Sequence, residues 1–66
     1  MISYNRLWET MKAKGVSQYK LIKTYKFSSG QLDRLRRNEN VNILTITALC
    51  DILDCGIEDI VEYRKD

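Results

Sequence analysis

Three times between residues 16 and 46 of this 66-residue chain an apolar side chain precedes a serine or asparagine, and a second apolar one follows the first by five positions. The pairs are Val16-Ser17 with Leu21, Phe27-Ser28 with Leu32, and Val41-Asn42 with Ile46. In this arrangement a short polar side chain accepts from an unpaired first-turn N–H, while the two apolar residues close over it as a hydrophobic staple. Gln31 lies three residues after Ser28, so Ser28-x-x-Gln31 also reads as a capping box. Each staple commits the following residues to a helix. The stretch "KFSSGQLDRLRRNEN", residues 26–40, contains no proline and breaks only briefly, so it joins two helices tightly.

Periodicity extends these starts into five expected helices, at about 3–14, 17–25, 28–37, 42–54 and 57–61. Tyr4, Leu7, Trp8 and Met11 form one helical face, with Ser3 as a cap and Gly15 as the stop. The second helix is expected to turn Leu21, Ile22 and Tyr25 inward, and the third Leu32 and Leu35. In the fourth, Ile43, Ile46, Ala48, Leu49, Cys50, Ile52 and Leu53 wrap widely, which predicts the most buried element. Gly56 would cap a short fifth helix, with Glu58 and Asp59 in its first turn. Ile57, Ile60 and Val61 would then close the core. The expectation is an all-α, compact five-helix domain over residues 1–66.

Such a chain is too small for an enclosed substrate cleft, since about 60% of the unfolded surface is buried at this size. There is no histidine, and no serine or cysteine is paired with a base, so no enzyme activity is expected. Cys50 and Cys55, five apart, would point to different faces on one helix and are expected as packed thiols; a metal site would need two more soft ligands, and no cofactor is expected. No apolar run reaches the ~18 residues of a membrane span and no secretory signal pattern opens the chain, which predicts a cytoplasmic location.

The net charge of +2 conceals a partition. Residues 1–40 carry nine of the eleven Lys/Arg against Glu9, Asp33 and Glu39; residues 41–66 carry six of the nine acids against Arg64 and Lys65. One polyanion-facing side is the reading this favours. The third helix supplies the chemistry. With Leu32 and Leu35 inward, its outer stripe holds Ser29, Gly30, Asp33, Arg34 and Arg37. Small residues at the helix start, then arginine one turn on, suit a helix set end-first into the DNA major groove, where bulk would hold it out. Arg34 can donate bidentately to guanine O6 and N7, Asp33 can accept from cytosine N4, and Ser28 and Ser29 can reach bases or phosphates.

With these residues in view, "GVSQYKLIKTYKFSSGQLDRLRRNENVNILTITALCDILDCGIEDIV" resembles the Cro/CI-type (XRE-like) helix-turn-helix family of small bacterial and phage transcriptional regulators. The resemblance covers residues 2–62 and is nearest to short stand-alone members, whose last turn reads much like "IEDIVEY". It implies a lambda-repressor-like fold and a double-stranded DNA partner. By the same resemblance Gln18 contacts a phosphate and buttresses the recognition helix, Ser28, Ser29, Gly30 and Arg34 fall at base-reading positions, and Arg37 at a phosphate position. Lys26 departs from the glycine frequent in the turn, Ile22 from the usual alanine, and Gly30 brings no side chain to read with.

The function expected is a sequence-specific transcriptional regulator, a repressor acting as a homodimer through the C-terminal region around Ile57, Ile60, Val61 and Tyr63. One module alone covers only about 600–1,000 Å² of protein surface, too little for tight specific binding. The alternative is a protein-interaction module on the same fold, antirepressor or antitoxin-like, using the acidic second half. RNA binding comes third, because the aromatic residues lie at core spacing rather than on a stacking platform.

Overall fold

A computed structural model describes residues 1–65; the last residue of the expected domain, Asp66, lies outside them. The elements run in the order β1 (Ile2–Ser3), α1 (Asn5–Lys14), α2 (Gln18–Lys23), α3 (Ser29–Arg36), α4 (Ile43–Leu53), a 3-10 turn (Ile57–Asp59) and β2 (Glu62–Tyr63). All three staple sites start helices. Ser17 Oγ accepts from Lys20 N–H at 3.0 Å, Ser28 Oγ from Gln31 N–H at 3.3 Å, and Asn42 Oδ1 from Leu44 N–H at 2.8 Å. Leu21, Leu32 and Ile46 are buried under these starts, with Val16 buried and Phe27 and Val41 packed against the same core. The capping box at Ser28 is half made: Gln31 Oε1 is buried and has no hydrogen-bond partner among the described residues.

The core gathers Tyr4, Leu7 and Met11 of the first segment, Leu21, the α3 pair Leu32 and Leu35, Ile46, Leu49 and Leu53 of α4, and Ile60. Each helix thus buries one stripe and leaves the opposite face to solvent, as its periodicity requires. Three inward expectations fail: Ile57, expected to close the core, is exposed, and so are Tyr25 and Ile43. Tyr25 is 41% exposed, because α2 ends at Lys23 and the chain leaves helical register before it. Ile43 is 62% exposed: it is the first residue of α4 and points away from the face that Ile46 and Leu49 bury.

Four α-helices are present among the described residues, not five. The expected fifth is the three-residue turn Ile57–Asp59, in which Asp59 Oδ2 accepts from Gly56 N–H at 3.2 Å. Ile60 caps it (φ −112°, ψ −49°), and the chain becomes extended at Glu62, where β2 begins. Ser3 pairs with Glu62 and Ile2 with Tyr63 in an antiparallel ribbon that ties the two ends of the chain together. Ser3, expected as the cap of α1, belongs to β1. Its Oγ still accepts from Asn5 N–H at 3.3 Å, while Tyr4 occupies the cap position itself.

The two cysteines also differ from expectation. α4 ends at Leu53, Asp54 turns left-handed (φ 51°), and Cys55 N–H returns to Cys50 C=O at 3.1 Å. That is the 6→1 bond of a Schellman motif, whose apolar contact joins the residues at its two ends. The reversal brings the thiols side by side instead of onto different faces. Burial pushes both above the ordinary cysteine range.

Candidate nucleic-acid interface

The outer stripe of α3 starts from Ser28, whose extended backbone (φ −65°, ψ 124°) marks the cap. Ser29 and Gly30 lie exposed in the first turn, Asp33 and Arg34 one turn on, and Arg37 at the C-terminal cap. Leu32 and Leu35, both fully buried, fix this orientation from behind. The fold therefore brings Ser28, Ser29, Gly30, Asp33, Arg34 and Arg37 onto one exposed face. Nothing in the backbone demands glycine at Gly30. A Cβ there would meet only Ser28 Oγ, at 3.7 Å, an ordinary contact.

Gln18 is the first residue of α2 and reaches this face from the neighbouring helix. Its Oε1 accepts from Arg36 Nε at 2.8 Å, a side-chain bond that ties the start of α2 to the last turn of α3. Beside Gln18, a wide-open groove of about 400 Å³ separates the end of α1 from the start of α2, floored by Trp8, Met11 and Val16.

The charges on α3 are not free in equal measure. Asp33 Oδ2 pairs with Arg37 Nη2 at 2.9 Å and Asp33 Oδ1 with Arg36 Nη1 at 3.6 Å; Glu39 Oε2 pairs with Arg37 Nε at 3.3 Å. Arg34 makes no ion pair among the described residues. The i,i+3 and i,i+4 spacings of Asp33 to Arg36 and Arg37 are visible in the sequence as helix-surface pairs. Arg36 is not among the DNA-binding residues expected from the sequence. Its bond to Gln18, 18 residues away, is a tertiary contact that no local pattern announces.

The end of α3 is anchored from the far side of the molecule. Asn38 turns left-handed (φ 54°), and its Oδ1 accepts from Tyr4 N–H at 3.1 Å. The Tyr4 hydroxyl donates to Glu39 C=O at 2.9 Å. Burial raises the Tyr4 phenol above its ordinary value.

A capped helix, a tight turn through Lys26 (φ 58°) and a second capped helix presenting small residues and arginine make a helix-turn-helix of the DNA-binding class. The family described as the Cro/C1-type HTH DNA-binding domain matches residues 6–66, and the chain belongs to it. The crystal structure of the transcriptional regulator VanUg (form II) is similar: TM-score 0.87 and 29% identity, over 98% of this chain and 87% of that one. No curated protein matches the chain. Among the described residues no helix is long and apolar enough to cross a membrane.

Proposed function

We propose that this domain is a sequence-specific, double-stranded DNA-binding transcriptional regulator, a repressor that acts as a homodimer. α3 enters the major groove by its N-terminal end, as far as the small side chains Ser28, Ser29 and Gly30 allow. Arg34 reads a base edge, Gln18 and Arg37 hold phosphates, and Gln18 keeps α3 at its angle through Arg36. The observation that carries this reading is the exposed stripe itself: three small residues, then an arginine with no acidic partner among the described residues, on a helix fixed from behind by Leu32 and Leu35.

The dimer surface narrows. Ile60 is fully buried and Val61 half-buried, so both serve the core, whereas Ile57 is 47% and Tyr63 71% exposed. A homodimer through the C-terminal region would use these two together with the exposed Met1 and Ile2 beside Tyr63. Two half-sites about 34–36 Å apart follow from placing one α3 in each of two successive major-groove turns.

The test is selection of bound duplexes from a randomised pool, followed by a salt titration of the enriched site. The expected result is an inverted-repeat motif, bound with an affinity that falls steeply with salt. Recovery of no motif would overturn sequence-specific binding, and a single ungapped half-site would overturn the dimer.

A further inference from the structure

We propose that Asp33, assisted by Glu39, is an internal phosphate surrogate that lowers the affinity of α3 for every DNA sequence, rather than a reader of a base. The inference rests on the reading of α3 as the DNA-facing helix.

Both carboxylate oxygens of Asp33 already face guanidinium groups, Arg37 at 2.9 Å and Arg36 at 3.6 Å, and Glu39 also pairs with Arg37, at Nε, 3.3 Å away. Arg37 is therefore held between two carboxylates on the surface where a DNA phosphate would bind it. A phosphate and a carboxylate compete for the same donors, because both take the planar guanidinium fork through two oxygens. Each pair is weak by itself, since all of these side chains are about half exposed and solvent screens them. They are linked, however, so freeing Arg37 for a phosphate disrupts two contacts and leaves two acids near the polyanion. Arg34, without an acidic partner among the described residues, carries no such penalty. The network thus lowers the sequence-independent part of binding and leaves base discrimination with Arg34. This fits the charge pattern of residues 1–40, where two of only three acids sit beside the arginines of α3.

The experiment uses Asp33→Asn, Glu39→Gln and, as a control for bulk charge, Asp51→Asn, an exposed acid on α4 outside the network. Affinity is measured for the selected duplex and a scrambled duplex at several salt concentrations, and retention is measured on heparin, a polyanion without bases. Asp33→Asn is expected to tighten both duplexes about 3- to 10-fold, to steepen the salt slope by up to about one unit, and to leave base preference unchanged. Glu39→Gln should do the same to a smaller degree, and Asp51→Asn little. In an Arg37→Ala background the gain from Asp33→Asn should shrink toward the size of the control, because only the longer pair with Arg36 remains. Loss of affinity for the selected duplex alone, with relaxed preference at one base pair, would make Asp33 a reader and overturn the proposal. So would a gain no larger than that of Asp51→Asn. If the unaltered chain binds no duplex, the DNA reading fails, and later elution of Asp33→Asn from heparin still reports the competition separately.

Discussion

Gly30 sets the needs of folding against those of binding at a single residue. Gly15 needs its lack of a Cβ, for it stands at φ +72° where α1 ends. Gly30 does not: it sits within α3, and an alanine Cβ would find room. Glycine in a helix costs up to about 1 kcal/mol relative to alanine, less in a first turn, so folding alone would favour alanine there. The account explains glycine by close approach of the groove. Gly30→Ala is therefore expected to stabilise the fold by about 0.5 kcal/mol, raising Tm by roughly 2–4 °C, while weakening binding to the selected duplex several-fold. Thermal melts and a binding isotherm on the same preparation check both halves. A more stable variant that binds as well as the parent would mean that DNA does not come close to Gly30.

At the scale of elements, the starts of three helices were legible, as was the stop of α1 at Gly15, while α2 ends at Lys23, short of the expected Tyr25. Val16-Ser17, Phe27-Ser28 and Val41-Asn42 each announce a cap and staple through local chemistry, and all three make the expected bond. The stops depend on left-handed residues at Gly15, Lys26, Asn38 and Asp54, of which only the first is a glycine. Asn and Asp tolerate that region through their short polar side chains, but lysine has no such compensation. At Lys26 the sequence offers only a departure from the glycine frequent in the family's turn. Lys26→Gly is expected to stabilise the domain by about 0.5–1 kcal/mol in urea unfolding, because it removes the Cβ clash in the turn between α2 and α3. A loss of stability would show instead that Lys26 is held by favourable contacts. The two-residue strands were illegible because they are too short to display a period, and their pairing joins residues about 60 positions apart. The cysteine contact was missed for a related reason. The stop near Asp54 was expected, but the left-handed turn that folds Cys55 back onto Cys50 was not, because Asp54 carries no glycine-like sign of it. On α3, the exposed face was legible from the inward Leu32 and Leu35, whereas the bond from Gln18 to Arg36 depends on how two helices meet.

For the molecule as a whole, the arrangement divides labour between the two halves of the chain. The basic half supplies α1, α2 and α3, with Gln18 and the arginines on one exposed surface; the acidic half supplies α4, the 3-10 turn and β2. The ribbon between β1 and β2, reinforced by Arg6 pairing with Glu62 at 3.3 Å and donating to Glu58 C=O at 3.1 Å, fastens the second half to the first. In a domain with principal extents of 36 × 23 × 17 Å, α3 presents an exposed face of small residues and one arginine without an acidic partner among the described residues. On the proposed reading, α3 reads bases through Arg34 and holds the backbone through Arg37. Binding of Arg34→Ala and Arg37→Ala to the selected and the scrambled duplex across a salt series tests it most directly. Loss of Arg34 is expected to cost about 1–3 kcal/mol on the selected duplex, with relaxed preference at one base pair per half-site and little change on the scrambled one. Loss of Arg37 is expected to weaken both duplexes alike and to lower the salt slope by up to about one unit. Equal losses for both variants on both duplexes would make Arg34 part of a charged rim and contradict the account.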